Sequence, residues 1–237
     1  MLTIYIGYDS REPIAYDVLV HSIRKHASKP VNIQPLNIRR LKQLGLITRH
    51  AARLNGVMYD LISDAPQSTE FAVSRFLPIV LQQTGWAVFM DSDMLFLDDI
   101  YKLEEELDGC CAAMCVKHEQ PVVDGAIKMD GQPQVAYSRK NWSSFYAINC
   151  DHPSNLSLGL REINEWPGRY LHNFGWLKDK EIGALTPGWN WLVNVQDKPA
   201  TVYNAHYTLG GPWFPEWVPQ EYDSLWLDAV MEMKRGV

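Results

Sequence analysis

One stretch of the chain joins a short apolar strand directly to a pair of carboxylates: Trp86-Ala87-Val88-Phe89-Met90-Asp91-Ser92-Asp93. Its first part is the kind of apolar run that forms a buried strand. In open α/β sheets, ligands bind at the carboxyl ends of such strands. Since side chains at i and i+2 of an extended segment point the same way, both carboxylates can reach one hard cation such as Mg²⁺ or Mn²⁺. The stretch predicts a metal site, with a helix N-cap or a solvated turn as the alternative.

The segments around this stretch alternate between strand and helix patterns. Upstream, the pattern predicts strands over 2–6 and 31–36 and helices over 14–23 and 69–83. Asp9 or Ser10 is the predicted N-cap of the first helix. Residues 39–68 fit no pattern. Downstream it predicts helices over 100–107 and 155–165, strands over 110–116, 144–149 and 201–207, and a long polar stretch over 117–140. A strand-helix-strand start is typical of a Rossmann-like α/β fold. We expect one domain over 1–237, with a nucleotide-binding half over 1–100 and an acceptor-side half over 101–237.

Composition excludes several classes of partner. The formal net charge of −6 argues against nucleic acid, which normally needs a basic face. The apolar runs are too short to span a bilayer, and residues 1–7 resemble a strand more than a signal peptide. The cysteines lack the paired spacing of a structural zinc site or a disulfide framework: Cys110, Cys111, Cys115 and Cys150. We therefore expect a reduced, cytoplasmic protein.

Two runs, from Ser74 to Pro78 and from Phe89 to Ile100, resemble family 8 glycosyltransferases, which include glycogenin and bacterial lipopolysaccharide galactosyltransferases. The shared pattern is an Arg-bearing helix, a strand, the Asp-x-Asp, a short apolar stretch and an acidic-capped helix. The opening from Ile4 to Asp9 is similar to that family's first strand, whose end touches the nucleoside. The resemblance implies an α/β fold of the GT-A type, a single Rossmann-like domain with a mixed central sheet flanked by helices.

The resemblance also implies a ligand set for the metal. Asp91, Asp93 and His206 would hold Mn²⁺ or Mg²⁺, and Asp93 would approach the diphosphate and act with Arg75 in catalysis. His206 precedes Gly210 and Gly211, like the family segment that closes over the phosphates. Imidazole is a good metal ligand, and glycines let backbone amides approach an anion. A structural histidine is the alternative.

The residues that the resemblance implies for donor binding come from four segments of the chain: Gly7, Tyr8, Asp9, Arg75, Ser92, Gly210 and Gly211. Arg75 would brace the carboxylates or the departing diphosphate, and a surface arginine is the alternative. Tyr8 and Asp9 would meet the base or ribose, and helix capping is the alternative for Asp9.

Candidates for contact with the acceptor or the sugar lie further along the chain: Asp130, Asn141, Trp142 and Asn173. They fall in segments rich in hydrogen-bonding groups, where the family's Asn-Ala-Gly and Asp-Gln patterns are replaced by Trp142-Ser143-Ser144 and His172-Asn173. Eight of the nine tryptophans follow residue 141, where they either fill the core or stack on sugars.

Together these features predict a metal-dependent glycosyltransferase that moves a sugar from a nucleotide diphosphate, a UDP-sugar, to a hydroxyl acceptor with retention of configuration. One alternative is a sugar-nucleotide nucleotidyltransferase, although its basic Gly-rich loop is missing, since Arg11 is the single basic residue between Gly7 and Pro13. Another is a non-catalytic protein that binds nucleotides or carbohydrates.

Overall fold

The computed structural model describes residues 1–54, 56–119 and 139–236. The strands are β1 (Thr3–Tyr8), β2 (Asn32–Asn37), β3 (Ala51–Leu54), β4 (Val57–Asp60), β5 (Ala65–Pro66), β6 (Trp86–Met90), β7 (Met94–Phe96), β8 (Ala113–Cys115), β9 (Phe145–Asn149), β10 (Ile182–Ala184), β11 (Trp191–Leu192) and β12 (Asn204–His206). The α-helices are α1 (Pro13–His26), α2 (Ile38–Gln43), α3 (Pro78–Gln82), α4 (Leu160–Glu165), α5 (Gly168–His172) and α6 (Asp223–Arg235).

The central sheet has six strands in the order β10-β8-β9-β6-β1-β2. β1 pairs in parallel with both β2 and β6, and β10 pairs in parallel with β8. β9 runs antiparallel to β6 and β8, so the sheet is mixed. This confirms the predicted α/β class with a mixed central sheet flanked by helices.

Both faces of this sheet are buried. Ala87, Val88, Phe89 and Met90 of β6 have no exposed surface. Phe89 faces one core with Phe71, Phe76 and Tyr146, whereas Val88 and Met90 face a second core with Ile4 and Ile6. Alternate residues of a strand point to opposite faces, which is why an unbroken apolar run suits this central position.

A second sheet, in the order β11-β12-β7, carries the chain beyond the two carboxylates. β12 runs antiparallel to β7, with His206 opposite Met94. The backbone amide of Tyr207 donates to the carbonyl of Asp93 at 2.9 Å. This pairing brings the C-terminal part of the chain to the Asp-x-Asp, so the position of His206 is a consequence of strand register.

Several predicted elements differ in the structure. The helix predicted over 69–83 is a short 3₁₀ helix (Ser74–Phe76) followed by α3, because Pro78 has no amide hydrogen to continue a helix. Residues 100–105 also form a 3₁₀ helix, and Gly159 separates a 3₁₀ helix (Pro153–Ser157) from α4. The N-cap of α1 is Glu12 and makes no side-chain cap bond, so the predicted capping by Asp9 or Ser10 is wrong.

The stretch over 39–68, which fits no sequence pattern, contains a small antiparallel sheet in the order β3-β4-β5. The strands predicted over 110–116 and 201–207 are shorter, as β8 and β12. Trp189, Trp191 and Trp226 are buried, as core packing requires. None of the helices within the described ranges has both the length and the apolar character needed to cross a bilayer.

Candidate functional site

Three predicted ligand residues meet where the chain passes from the central sheet to the second sheet, β11-β12-β7. Asp91 directly follows β6, Asp93 directly precedes β7 and His206 ends β12. One ligand atom from each lies within 4.8 Å of the others, and Nε2 of His206 is 3.2 Å from Oδ1 of Asp93. Ligands about 2.1 Å from an octahedral ion are separated by about 3 Å when adjacent and about 4.2 Å when opposite. The group therefore can hold a divalent cation such as Mg²⁺ or Mn²⁺ with oxygen and imidazole ligands.

Asn190 fixes the orientation of the His206 ring. It is fully buried, and its Oδ1 lies 2.9 Å from Nδ1 of His206. Its Nδ2 donates to Oγ of Ser144 at 2.9 Å and to the carbonyl of Asn141 at 3.3 Å, so Oδ1 must face the histidine. Because Oδ1 only accepts, Nδ1 of His206 carries a proton, which leaves Nε2 as the nitrogen that would bind a metal. A hydrogen bond of this kind from the other ring nitrogen orients a metal-bound histidine and raises its basicity.

Asn190 is not among the functional residues predicted from the sequence. It lies in the aromatic segment from Pro187 to Val195, and an asparagine between Trp189 and Trp191 carries no local signal of its partner. A polar side chain inside a run of large apolar residues is the one feature that could have drawn attention to it, since buried amides must be hydrogen-bonded.

Arg75 braces the first carboxylate. It is only 6% exposed, and its Nη1 lies 3.1 Å from Oδ1 of Asp91 and donates to the carbonyl of Ser143 at 2.9 Å. The guanidinium also stacks near the rings of Phe71 and Phe89, each centroid 5.3 Å away. Arg75 is therefore a buried arginine in contact with Asp91 and not a surface side chain, and its role toward the diphosphate and in catalysis stays a prediction.

Asp9 is bound by its own neighbours. Its carboxylate accepts from Nε and Nη2 of Arg11 at 2.9 and 2.6 Å and from the amide of Glu70 at 3.0 Å. Burial alone would raise the pKa of Asp9, but the hydrogen bonds and charge of Arg11 outweigh it and lower that pKa overall. Since Nη2 of Arg11 also donates to the carbonyl of Ser68 at 2.7 Å, Arg11 clamps two loops together. This use of Arg11 disfavours a triphosphate-binding loop.

The glycines predicted to contact the donor have packing roles. A Cβ on Gly7 would lie 2.3 Å from the ring of Phe71, and one on Gly211 would lie 2.3 Å from Trp213. Gly210 has φ of 108°, a conformation that favours glycine. These positions need glycine for protein contacts, and their role toward a donor stays a prediction.

Two further donor candidates flank the cluster. Tyr8 ends β1, the neighbour of β6, and its ring meets Tyr16 edge-on at 5.3 Å. Ser92 lies between the two carboxylates and is buried, with 3% exposed. Both lie at the carboxyl ends of central strands, where the sequence predicts the site, since β1 and β6 are parallel neighbours.

A pocket of about 170 Å³ opens beside Asp91. Its lining includes Arg75, Lys140, Asn141, His172 and Thr208. Burial, and then the nearby charges of Arg75 and Arg49, hold the pKa of His172 well below its usual value, so this imidazole is neutral. Its Nδ1 lies 2.8 Å from Oγ of Ser143. Neither His172 nor Lys140 was predicted as a site residue, although each directly precedes a predicted candidate, Asn173 and Asn141 respectively.

The acceptor candidates separate in space. Asn141 lines this pocket, whereas the carbonyl of Asn173 accepts from Arg139 in a neighbouring groove. Trp142 is half-buried, donates from Nε1 to the carbonyl of His118 at 3.3 Å, and lies between Lys117 and Arg139. Asp130 lies outside the described residues.

Comparison with known proteins identifies one close sequence relative. The chain is 42% identical over 238 residues to Protein CDI of Arabidopsis thaliana, a match that covers 98% of this chain and 87% of the relative. No family model matches the chain.

Solved structures share its fold at low sequence identity. The apo structure of the bifunctional glycosyltransferase WbbM matches with a TM-score of 0.62 at 15% identity, over 99% of this chain and 51% of that chain. Apo GlyE of Streptococcus pneumoniae TIGR4 matches with 0.58 at 13%, over 99% and 64%. The galactosyltransferase LgtC, in complex with donor and acceptor sugar analogues, matches with 0.57 at 10%, over 99% of both chains. This chain thus spans about half of WbbM and under two thirds of GlyE, and it has the GT-A fold of these enzymes.

Proposed function

The chain belongs to the family of Protein CDI of Arabidopsis thaliana, and we propose that it is a metal-dependent glycosyltransferase that uses a UDP-sugar and a hydroxyl acceptor. The observation that carries this proposal is the group of Asp91, Asp93 and His206 on a GT-A fold. Membership of glycosyltransferase family 8, transfer of a hexose and retention of configuration belong to the same proposal. So does a cytoplasmic location, since Cys110, Cys111, Cys115 and Cys150 are all free, as is typical of a reducing compartment.

In this proposal Asp91, Asp93 and His206 hold Mn²⁺ or Mg²⁺. When bound, the ion would supply positive charge that stabilises the leaving diphosphate. An interaction accelerates the reaction when it stabilises the negative charge of the transition state more strongly than it stabilises the bound substrate.

The protein side chains hold this site in place before the donor arrives. Arg75 and Asn190 orient Asp91 and His206, and both are buried, so little reorganisation accompanies the reaction. The bond between the anomeric carbon and the diphosphate oxygen breaks, and the acceptor oxygen bonds to the same face of that carbon. The acceptor proton passes to the departing diphosphate, so no enzyme nucleophile is needed.

Hydrolysis and transfer with UDP-sugars test this proposal. We expect turnover of UDP-glucose or UDP-galactose with Mn²⁺ that disappears with EDTA and falls at least about 100-fold in Asp93→Asn. Asp98→Asn is the matched control, because Asp98 lies nearby in the sequence but pairs at the surface with Lys102. UDP binding that needs Mn²⁺ without any turnover would favour the non-catalytic alternative, and absence of both would overturn the proposal.

A further inference from the structure

A groove of about 530 Å³ adjoins the pocket beside Asp91. Its lining includes Arg139, Arg169, Tyr170, Asn173 and Gly175. Arg169 lines both the groove and the pocket, so the two spaces meet at this side chain. Because none of the metal-ligand candidates lines the groove, a molecule bound there would reach toward the site without occupying the diphosphate position.

The groove and the adjoining pocket wall are basic. Arg139, Lys140 and Arg169 line them, in a chain whose net charge is −6. Among the described residues, the groove lining includes no aspartate or glutamate. The acids of the pocket lining are Asp60 and Asp91, and both are buried and paired with arginines. A local excess of positive charge on an acidic protein attracts an anionic ligand.

Arg139 and Arg169 differ in how they are held. The guanidinium of Arg139 donates to the carbonyl of Asn173 and pairs with Asp179, which fixes it as part of the wall. Arg169 is exposed and belongs to none of the ion pairs formed by the described residues. A guanidinium in this position can bind a carboxylate or a phosphate through two parallel hydrogen bonds.

The groove also presents an aromatic ring. Tyr170 is 41% exposed and meets Trp166 edge-on at a centroid distance of 5.1 Å. Gly175 lies directly against the ring, since a Cβ there would be 2.5 Å from its atoms. A fixed, partly exposed tyrosine suits stacking on the apolar face of a sugar.

We propose that this groove is the acceptor subsite and that the acceptor is an acidic saccharide. A sugar ring would stack on Tyr170, and its carboxylate or phosphate would bind Arg169. This inference rests on the proposed function and deepens it by naming the class of acceptor.

NMR titration of the full chain with glucose, glucuronate and glucose 6-phosphate tests the inference. We expect both acids to bind at least about tenfold more tightly than glucose at low ionic strength, with the difference reduced in 0.5 M salt. The uronate and phosphate arms identify which acidic group is preferred. Arg169→Gln should abolish the preference for acids, and Tyr170→Ala should weaken all three ligands. Arg40→Gln is the matched control, because Arg40 is an exposed arginine on α2 outside both linings.

Equal binding of glucose and the acids, or a preference that survives Arg169→Gln, would overturn the inference. Titration with UDP-glucose and UDP-glucuronate in the presence of Mn²⁺ locates the acidic group. If Arg169→Gln weakens only UDP-glucuronate, the acid belongs to the donor and the acceptor assignment is wrong. Binding of UDP with Mn²⁺ to the unaltered protein reports on the proposed function by itself, so the two failures are distinguishable.

Discussion

Replacing Asn190 tests whether the orientation of His206 is set by its buried partner. Asn190→Leu removes the acceptor that lies 2.9 Å from Nδ1 of His206, whereas Asn190→Asp retains an acceptor of the same size at that point. Without the acceptor the imidazole can carry its proton on Nε2, where a metal would bind. Removal of a hydrogen-bond partner of a metal-bound histidine typically lowers metal affinity by about 10- to 100-fold, or about 1.4 to 2.7 kcal/mol.

Stability must be separated from affinity in this experiment. Asn190 has no exposed surface and also donates to Ser144 and Asn141, so Asn190→Leu leaves buried groups without partners at a cost of about 1–3 kcal/mol each. Both variants lose these donations, so the aspartate variant serves as the control. The assay is the dissociation constant for Mn²⁺ in the presence of UDP, measured by electron paramagnetic resonance, with thermal unfolding of the metal-free proteins alongside.

We expect Asn190→Leu to bind Mn²⁺ about 10- to 100-fold more weakly than the unaltered protein and Asn190→Asp to bind within a few-fold of it. Equal weakening in both variants would mean that the amide acts through packing, and unchanged affinity in the leucine variant would refute the tautomer argument.

Three further predictions concern stability. Gly7→Ala places a methyl group 2.3 Å from the ring of Phe71 and should lower the free energy of unfolding in urea by about 1–3 kcal/mol. In the control Gly109→Ala the methyl group meets no atom within 4 Å, so the free energy of unfolding should change by less than about 0.5 kcal/mol. Burial lowers the pKa of His118 from 6.5 to about 4, so the unfolded chain takes up this proton first as the pH falls. The free energy of unfolding should therefore drop by up to about 1.4 kcal/mol per pH unit between those values, and an unchanged slope in His118→Gln would contradict this. Asp60→Ala breaks the buried ion pair with Arg49 and should lower the free energy of unfolding by about 3–5 kcal/mol. Asp98→Ala breaks the more exposed pair with Lys102 and should cost under about 1 kcal/mol. Similar losses of stability in the two variants, measured by thermal unfolding, would contradict the burial argument.

The position of Asp91 and Asp93 could be predicted because it depends on local information. The apolar run predicts the buried strand β6, and the carboxylate pair that follows it marks the carboxyl end of that strand as the ligand site. The apolar stripe over 69–83 wrongly predicted one continuous helix, since Pro78 interrupts the hydrogen-bond ladder while the stripe continues.

The grouping of His206 with the two aspartates came from a resemblance, and the structure supplies its physical cause. His206 faces Met94 because β12 pairs with β7, and no local pattern in 201–207 determines that register. Asn190 could not be found from the sequence, because an amide carries no sign of which buried group it will meet.

The sequence by itself therefore determined the α/β class, the central strand and the two carboxylates at its end, all of which follow from the order of apolar and acidic residues in one segment. Only the tertiary structure decided which histidine joins them, which amide orients it, and how Lys140, Arg169 and His172 come to line one pocket. These residues come from several separate segments of the chain, and contacts between such segments arise from packing and strand register.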